Sequence, residues 1–356
     1  MKGVVLSGGA GTRLRPLTHT GPKQLIPIAN KPNIVYCIED LRNAGITDIA
    51  VILGNNMPEK VKELLGDGSN YGVKITYIYQ GEPKGIAHAV GLAEEFVGDE
   101  PFVVYLGDNL LIGGIGGLVQ AFEKTGAESV IGLCEVPNPQ KFGIAVLNER
   151  KEIVRVIEKP KEPPTNLAII GIYLFRKSVF EMIKKLKPSW RNELEITDAI
   201  QMLIDAKLPV HAYIVTGWWK DTGTPEDILE ANRVVLEHLE PKVEGTVEEG
   251  AEVIGKVSIG KNSIIKKGAR VRGPAIIGDN TIIEGDAYIG PYTAIGNNCK
   301  ISRSEIEFSI ILDSTEINYA GRIVDSLIGA NTRILSGERK PRGQRFILGE
   351  NSTVWV

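Results

Sequence analysis

The sequence has few cysteines, and they are far apart. Cys37, Cys134 and Cys299 make an odd set without the close spacing of a zinc-binding motif. This pattern excludes a disulfide framework and is typical of reduced thiols. We therefore expect three small, buried, apolar side chains in a cytoplasmic protein.

The sequence also lacks an excess of charge of either sign and any long apolar run. The 41 Lys and Arg residues nearly balance the 44 Asp and Glu residues, so the net charge is -3. A general affinity for nucleic acid is disfavoured, and a phosphate-bearing ligand must be held by locally placed donors. No apolar run approaches membrane-spanning length, and no signal-peptide pattern opens the sequence. We expect neither a nucleic acid nor a membrane as partner.

A chain of 356 residues, 43% of them apolar, is long enough for two domains. Residues 1–239 alternate short apolar runs with amphipathic helical patterns, which is typical of an α/β, Rossmann-like fold. The predicted strands include residues 4–6, 49–53, 75–79, 102–106, 129–133, 153–157 and 168–175, and the predicted helices include 34–43, 59–65 and 87–96. Crossovers between short apolar strands favour a mixed, mostly parallel sheet covered by helices.

The periodicity changes in residues 251–356, after a predicted linker at 240–250. Val or Ile occupies every sixth position at Val253, Ile259, Ile265, Val271, Ile277, Ile283, Ile289, Ile295 and Ile301. A period of six predicts a hexapeptide-repeat solenoid, in which each rung makes one short strand and one corner. An antiparallel β-sandwich, the alternative, would show a period of two.

The six-residue register slips after Ile301 and resumes at Ile311, Ile317 and Ile323. It slips again before Ile328 and Ile334. We interpret the slips as loops or a cap. Because a solenoid offers long flat faces for self-association, we also expect a homo-oligomer.

A glycine-rich segment follows the first predicted strand directly. Gly8, Gly9 and Gly11 let the backbone turn tightly and present N–H groups to an anionic ligand. The segment lacks the ending of a Walker loop and the spacing of a dinucleotide fingerprint. Such a turn is often only a turn, but Arg13 within it and Lys23 shortly after it favour a triphosphate site.

The string Gly-Gly-Ala-Gly-Thr-Arg-Leu-Arg-Pro-Leu-Thr at 8–18, followed by Pro-Lys-Gln-Leu-Ile-Pro at 22–27 and Asn-Lys-Pro at 30–32, resembles sugar-1-phosphate nucleotidyltransferases. It is most similar to the long form of the glucose-1-phosphate thymidylyltransferases. The resemblance implies a nucleotidyltransferase domain followed by a left-handed parallel β-helix. It implies transfer of a nucleotidyl group from dTTP to glucose 1-phosphate, giving dTDP-glucose and pyrophosphate with Mg²⁺ assistance, in nucleotide-sugar biosynthesis.

The resemblance implies that Arg13 and Lys23 bind the triphosphate and neutralise the charge of the transition state. Such cations suit a nucleotidyl transfer, because this reaction depends mainly on positioning and charge neutralisation. It makes Asp108 and Asp221 the Mg²⁺ ligands. Asp108 also follows an apolar strand, at the carboxyl end where α/β sites lie. Magnesium prefers oxygen ligands and typically takes one or two carboxylates with phosphate oxygens. Either aspartate alone could be a turn or cap residue, but the two together, with the glycine-rich loop, favour a metal site.

Gln80 matches the position that reads the pyrimidine edge, because an amide can both donate and accept there. Lys84 stands where the family more often has Leu or Asp. The implied nucleotide-binding set is Leu6, Gly8, Gly9, Gly11, Thr12, Arg13, Lys23, Gln24, Gln80, Pro83, Gly85 and Gly107. UTP remains an alternative to dTTP, because such a pocket separates the two weakly.

The sugar-phosphate side is implied by the Glu158-Lys159-Pro160 motif, whose charged pair could otherwise be an exposed pair after a strand. Lys159 is placed for the sugar 1-phosphate and Glu158 for sugar hydroxyls. The implied set is Asn109, Gly143, Glu158, Lys159, Ile169, Tyr173 and Arg191.

Three other functions remain as alternatives. The first is an enzyme of the same fold that forms UDP-glucose or GDP-mannose. Gln80 and the Lys23-Gln24 pair favour a pyrimidine over guanine, and so disfavour GDP-mannose. The second adds acetyl transfer on the β-helix, but that chemistry usually needs a histidine base, and His19, His88, His211 and His238 all precede the repeats. The third is a non-catalytic regulatory or scaffold subunit, which the retained charged positions disfavour.

Overall fold

The computed structural model describes residues 1–336, with the exception of the side chain of Ala320. The end of the predicted domain 251–356 therefore lies outside the described residues. The chain forms two compact units. The first holds Met1–Gly11, Thr20–Leu25 and Asn33–Asp221, and the second holds Thr12–His19, Ile26–Pro32 and the chain from Thr222 onward.

Strands and helices alternate through residue 237, as the apolar pattern predicts. The strands are β1 (Lys2–Ser7), β2 (Pro27–Ile28), β3 (Lys31–Pro32), β4 (Asp48–Leu53), β5 (Lys74–Tyr79), β6 (Phe102–Leu106), β7 (Asn109–Leu111), β8 (Ser129–Glu135), β9 (Gly143–Leu147), β10 (Ile153–Glu158), β11 (Leu167–Phe175), β12 (Val210–Ile214) and β13 (Trp219–Asp221). The helices are α1 (Asn33–Asn43), α2 (Pro58–Leu65), α3 (Ile86–Gly91), α4 (Glu94–Val97), α5 (Gly116–Thr125), α6 (Ser178–Ile183), α7 (Ile196–Asp205) and α8 (Pro225–Glu237).

One large sheet organises the first unit, in the order β10-β9-β11-β6-β1-β4-β5, with β8 pairing β11 and β12. The pairs among β6, β1, β4 and β5 are parallel, whereas β11 runs antiparallel to β6, β8 and β9. The predicted mixed, mostly parallel sheet is confirmed. The helix predicted at 87–96 is divided into α3 and α4, because Gly91 is a poor helix former at its centre.

Apolar side chains cover both faces of this sheet. Along β1, Val4 and Leu6 pack into the cluster that includes α3, α6 and α7, whereas Val5 packs into the cluster that includes α1, α2 and α5. This alternation follows from the period of two along a strand. The first unit is therefore a three-layer α/β/α structure.

Four parallel neighbours carry the loops of the candidate site. Leu6 of β1 is the register partner of Leu106 in β6, and Ser7 is the partner of Leu53 in β4. Leu53 in turn pairs with Tyr79 of β5. The segments that follow these strands therefore leave from one edge of the sheet, where ligand sites of α/β folds lie.

The second unit contains the parallel β-helix. Its strands are β14 (Lys242–Val243), β15 (Thr246–Val247), β16 (Glu252–Ile254), β17 (Val257–Ile259), β18 (Ile264–Ile265), β19 (Arg270–Arg272), β20 (Ala275–Ile277), β21 (Ile282–Ile283), β22 (Tyr288–Ile289), β23 (Thr293–Ile295), β24 (Lys300–Glu307), β25 (Ile310–Ile311), β26 (Glu316–Val324), β27 (Leu327–Ile328) and β28 (Arg333–Leu335). Strands of successive coils pair in parallel, and the aliphatic side chains at the predicted positions from Ile259 to Ile301 are buried.

The register slip after Ile301 is not a loop or a cap but a continuous strand, β24. Ile306, which the six-residue pattern passes over, is buried and pairs with Ile289. Val271 and Ile289 are separated by one residue more than Ile289 and Ile306 are. A coil that is one residue shorter thus still stacks its aliphatic side chain on that of the preceding coil. The inward aliphatic side chain is kept even where the number of residues per coil changes.

Residues 240–250, predicted as a linker, contain β14 and β15. These strands pair in parallel with β17 and β18, so the segment forms part of the first coil. Helix α8, which lies before the predicted boundary at residue 239, groups with the second unit.

A short hairpin, β2–β3, also belongs to the second unit. Its turn residues Ala29 and Asn30 have positive φ angles of 47° and 62°, as a type I′ turn requires. Asn232 of α8 accepts a hydrogen bond from the Ala29 N–H at 2.9 Å and donates to the Tyr292 carbonyl at 3.1 Å. Asn30 donates to the Ile295 carbonyl at 2.6 Å. Both the hairpin and α8 are therefore bonded to the β-helix.

None of the helices within residues 1–336 combines the length and the apolar character needed to cross a membrane.

Candidate active site

The glycine-rich loop lies at the carboxyl edge of the sheet. Gly9 and Gly11 have φ angles of 95° and 57°, which glycine adopts without steric cost. A Cβ on Gly8 would lie 2.9 Å from Gln80 Oε1, and a Cβ on Gly54 would lie 2.9 Å from Gly8 Cα. The loop thus packs closely against the segments after β4 and β5, and glycine makes this approach sterically allowed.

Lys23 forms an ion pair and hydrogen bond with Asp108, the residue that follows Gly107 at the end of β6. The lysine side chain passes beside the loop, because a Cβ on Gly9 would lie 3.8 Å from Lys23 Cε. Both charged side chains are largely buried, with 17% and 12% of their surface exposed. Burial raises the pKa of Asp108, but the adjacent Lys23 ammonium outweighs it and holds that pKa below its usual value.

Asp221 lies on β13, which pairs antiparallel with β7, and its register partner is Asn109. Asn109 is buried, donates to Asp108 Oδ1 at 3.1 Å and accepts from the Trp219 indole N–H at 2.8 Å. The ladder therefore brings Asp221 beside Asp108, although the two residues are far apart in sequence.

These two aspartates are the candidate metal ligands. No group of three or more His, Cys, Asp and Glu side chains within residues 1–336 could together hold a metal ion. Two carboxylates with further oxygen ligands from phosphate and water are, however, a set that Mg²⁺ commonly takes. The donor chemistry of Asp108 and Asp221 fits Mg²⁺.

Gln24 and Gly107 lie around the same loop. Gln24 Nε2 donates to the Gly8 carbonyl at 2.8 Å, and the Gly107 N–H donates to the Leu6 carbonyl at 2.9 Å. A Cβ on Gly107 would lie 2.9 Å from the Leu6 carbonyl oxygen and 3.3 Å from Gln24 Cγ. Gly107 therefore allows Gln24 to reach the loop backbone.

The buried Gln80 side chain has two partners beyond the loop. Its Nε2 lies 3.3 Å from the Gly85 carbonyl and 3.3 Å from His88 Nδ1. Gly85 has a φ angle of 103°, and a Cβ there would lie 2.5 Å from the Leu194 carbonyl oxygen. Pro83 is exposed.

Leu194 connects this segment to the residues predicted for the sugar phosphate. Its N–H donates to the Lys84 carbonyl at 2.7 Å, and its carbonyl accepts from the Ala87 N–H at 3.1 Å. The segment that contains Arg191 is thereby bonded to the segment that contains Gln80.

Glu158 lies at the end of β10, with Gly143 of β9 as its register partner. Thr197 donates to Glu158 Oε2 at 3.2 Å. A Cβ on Gly143 would lie 2.8 Å from Thr197 Cγ2 and 3.4 Å from Ile169 Cδ1, so glycine is needed for this packing. Burial and the nearby Glu195 raise the pKa of Glu158, against the opposing effect of Lys159 and Arg191.

Arg191 is surrounded by carboxylates. Its guanidinium lies 3.3 Å from Glu158, 2.9 Å from Glu193 and 3.5 Å from Glu195. Lys159 Nζ lies 3.8 Å from Glu158. The two cations and the acidic side chains form one charged cluster that offers both phosphate and hydroxyl ligands hydrogen-bonding groups.

Tyr173 of β11 is buried and lies within the electrostatic reach of both halves of the site. Burial, followed by Glu158 and Asp108, raises the pKa of its phenol well above its usual value. Its ring stacks on Phe175 with the centroids 5.8 Å apart. Tyr173 therefore remains protonated beside the candidate sugar-binding residues.

Thr12 and Arg13 fall in the second unit, as part of the short 3-10 helix Thr12–Leu14. A Cβ on Gly223 would lie 2.6 Å from Arg13 Nη2 and 3.1 Å from its Cζ. The absence of a side chain at Gly223 thus makes room for the guanidinium.

The sequence reasoning missed His88, Thr197, Gly54 and Leu194. His88 and Thr197 contact Gln80 and Glu158, whereas Gly54 and Leu194 act through backbone contacts. Gly54 could have been predicted, because a glycine directly after a predicted strand often marks a close approach of two backbone segments. Leu194 could not have been predicted, because it acts through its backbone N–H and carbonyl, which every residue other than proline has.

Two family models match the sequence. Residues 2–238 match the model described as nucleotidyl transferase, and residues 271–354 match that of the GMPPB C-terminal domain.

Relatives match over the whole length. The chain is 54% identical to the low-salt glycan biosynthesis nucleotidyltransferase Agl11 of Haloferax volcanii, with 99% of each chain covered. It is 46% identical to a glucose-1-phosphate thymidylyltransferase of Streptomyces antibioticus, with 100% of this chain and 99% of the relative covered.

Solved structures match about two thirds of the chain. A Bacillus anthracis protein described as a glucose-1-phosphate thymidylyltransferase, in complex with sucrose, aligns with a TM-score of 0.62 and 39% identity, covering 66% of this chain and 94% of that one. A UDP-glucose pyrophosphorylase complexed with UDP-glucose aligns with a TM-score of 0.61 and 29% identity, covering 67% and 98%.

Proposed function

The chain belongs to the nucleotidyl transferase family, as a sugar-1-phosphate nucleotidyltransferase, and we propose that it forms dTDP-glucose and pyrophosphate from dTTP and glucose 1-phosphate. An oxygen of the sugar phosphate attacks the α-phosphorus of dTTP in line. The bond from that phosphorus to the bridging oxygen breaks, and pyrophosphate leaves. The reaction needs positioning and charge neutralisation more than covalent catalysis.

One observation carries the proposal. The Lys23–Asp108 pair lies at the carboxyl edge of the sheet, with Asp221 brought beside Asp108 by the β7–β13 ladder. A cation and two carboxylates next to a glycine-rich loop suit a triphosphate and its counter-ion. Asp108 and Asp221 would hold Mg²⁺, which when bound polarises phosphate oxygens and neutralises their charge.

The chain's own cations act on the phosphates. The Lys23 ammonium pairs with Asp108 in the free protein. It would turn toward the triphosphate once a bound cation neutralises that carboxylate. Arg13 contributes a delocalised charge that fits phosphate oxygens in two places at once. The backbone of the glycine-rich loop at Gly8 and Gly9 holds further phosphate oxygens, so that the charge that develops in the transition state is met by groups already in place.

Gln80 reads the pyrimidine, with Gln24 and Gly107 shaping the adjacent wall of the pocket. The S. antibioticus relative, named for thymidylyl transfer, supports dTTP as the nucleotide. UTP is the second candidate, because the solved relative with UDP-glucose shares the fold and because uracil offers the same edge as thymine.

The sugar phosphate lies on the charged cluster of Glu158, Lys159 and Arg191. The carboxylate accepts from sugar hydroxyls, and the two cations hold the phosphate. Asn109, Gly143, Ile169 and Tyr173 complete the pocket. We assign self-association to the β-helix, because solenoids in general offer long faces for it.

The test is pyrophosphate release across a matrix of dTTP, UTP, dCTP, GTP and ATP against several hexose 1-phosphates, with and without Mg²⁺. The highest kcat/KM should belong to dTTP with glucose 1-phosphate, and chelation should abolish turnover. A highest value with UTP would move the assignment to UDP-sugar formation. A highest value with GTP, or full turnover in chelator, would overturn the proposal.

A further inference from the structure

The orientation of the Gln80 amide is determined by its surroundings. The Gly85 carbonyl, 3.3 Å away, can only accept a hydrogen bond, so the NH₂ group of Gln80 must face it. The amide oxygen then faces the glycine-rich loop, where a Cβ on Gly8 would lie 2.9 Å from Oε1. The buried side chain presents an acceptor toward the loop.

The second hydrogen of this NH₂ group points to a histidine. His88 Nδ1 lies 3.3 Å from Gln80 Nε2, and it accepts this hydrogen only when Nδ1 carries a lone pair. Neutral His88, with its proton on Nε2, therefore holds the amide. Protonated His88 would place an N–H against the NH₂ group and favour the reversed amide.

The backbone around His88 is held by neighbouring elements. Helix α3 begins after Gly85 and packs against α6, α7 and β1. The Ala87 N–H is bonded to the Leu194 carbonyl at 3.1 Å. The residue is partly buried, and its Nδ1 lies within hydrogen-bonding distance of Gln80.

Lys84 is the charged group that acts on this histidine. Burial and then the Lys84 ammonium lower the pKa of His88, and no charged group of α6, α7 or β1 contributes to that shift in the described chain. His88 is therefore neutral at neutral pH. This gives a physical role to Lys84, which departs from the usual residue of the family.

We propose that His88 determines base specificity by locking the Gln80 amide with its oxygen toward the nucleotide, and that Lys84 supports the neutral imidazole this requires. The inference rests on the proposed function of Gln80 and deepens it. Both amide hydrogens are used within the protein, so Gln80 reads the base through Oε1. Thymine and uracil carry an N3–H that donates to this oxygen, whereas cytosine carries an unprotonated N3 that repels it.

The experiment compares kcat/KM for dTTP and dCTP in the full-length protein, with glucose 1-phosphate as acceptor, between pH 5.5 and 8. The variants are His88→Asn, which keeps an acceptor near the Nδ1 position without titrating, and His88→Phe, which removes the acceptor. His238→Asn, at the exposed end of α8, is the matched control. Thermal unfolding establishes that each variant is folded.

We expect the dTTP preference of the wild type to fall as the pH drops through the lowered pKa of His88. His88→Asn should keep the preference without the pH dependence, and His88→Phe should lose roughly tenfold of it at every pH, within the usual value of one base contact. Lys84→Leu should move the loss of preference to higher pH. His238→Asn should match the wild type.

A His88→Phe variant with wild-type discrimination at every pH would overturn the inference, as would an unchanged pH dependence in His88→Asn. Binding of dTTP and dCTP by calorimetry, without the sugar phosphate, separates the two proposals. Preferential dTTP binding that depends on His88, without pyrophosphate release, contradicts the proposed reaction alone. Preference for dCTP or a purine in the wild type contradicts both.

Discussion

Asp221 lies directly across the β7–β13 ladder from Asn109, the residue that follows Asp108. This register, rather than closeness in sequence, makes the two aspartates neighbours. The Asn109 side chain also donates a hydrogen bond to Asp108 and accepts one from Trp219, so it ties the Asp108 carboxylate to the β7–β13 ladder.

Replacing either aspartate by asparagine keeps the shape and removes the charge. We expect Asp108→Asn and Asp221→Asn each to lower kcat by about 100-fold or more, since each loses a ligand for the counter-ion of the triphosphate. The measurement is pyrophosphate release as a function of Mg²⁺ concentration. Retention of near-normal turnover, with an intact far-ultraviolet spectrum, would contradict the assignment of that aspartate.

Lys23→Ala should affect both activity and stability. It removes a cation from the triphosphate and leaves the largely buried Asp108 carboxylate without the ammonium that lowers its pKa. We expect turnover to fall by orders of magnitude and the free energy of unfolding in urea to fall by about 2 kcal/mol. The double variant Lys23→Ala/Asp108→Asn should recover much of the stability and none of the activity. Equal destabilisation in both would mean that the pairing is not the cause.

Two glycines of the Gln80 segment provide a matched comparison. Gly85→Ala places a methyl group 2.5 Å from the Leu194 carbonyl oxygen, whereas Gly81→Ala, also at positive φ, meets no atom within 4 Å. Both changes put an L-residue at positive φ and carry a backbone cost, which is larger at Gly85 because its φ of 103° and ψ of 172° are adopted almost exclusively by glycine, and only the Gly85 change adds a clash. We expect a tenfold or larger rise in the KM for dTTP with Gly85→Ala and a small rise with Gly81→Ala. Equal KM values would show that the Leu194 contact does not shape the site.

Glu158 should make folding stability depend on pH. The folded protein raises the pKa of this carboxyl, so it binds the proton more tightly than the unfolded chain does. Stability is then lost as the pH rises from the unfolded pKa of about 4.3 through the raised folded value.

Glu158→Gln removes this dependence. Urea unfolding at pH 4 and pH 7 should show that the stability of the variant relative to wild type increases with pH, while its KM for glucose 1-phosphate rises. A relative stability that falls as the pH rises would contradict the direction of the shift.

Gly223→Ala tests the place of Arg13. The added methyl group would lie 2.6 Å from Arg13 Nη2, so the guanidinium must move. We expect kcat to fall by about tenfold or more, and the double variant Gly223→Ala/Arg13→Ala to be no worse than Arg13→Ala alone. Additive losses in this double-mutant cycle would show that Gly223 acts through something other than Arg13.

Much of the fold followed from period and order in the sequence. The apolar runs predicted each of the strands at 4–6, 49–53 and 102–106, and family membership, inferred from the motifs at 8–32, is confirmed by the matching family model. The inward aliphatic stack was also correctly located as far as Ile301. The sequence pattern is sufficient to predict these strands and this stack because each depends on apolar side chains that are buried at a regular spacing.

Other features depend on three-dimensional register. A fixed period of six does not predict Ile306 as an inward position, because the coil is one residue shorter there. His88 could not be predicted as a site residue, because its role depends on the orientation of the Gln80 amide beside it. The predicted roles of the site residues stay predictions until the variants are measured.

The hairpin bonded to Asn232 also bears on how the chain is made. Ala29 and Asn30 leave the ribosome early, yet their partners at Asn232 and Ile295 emerge only after most of the protein has been synthesised. At about 5–20 residues per second, the wait lasts tens of seconds or less. The hairpin at Pro27–Pro32 therefore cannot make these hydrogen bonds until α8 and the coil that contains Ile295 have been synthesised, although its turn residues are among the first thirty of the chain.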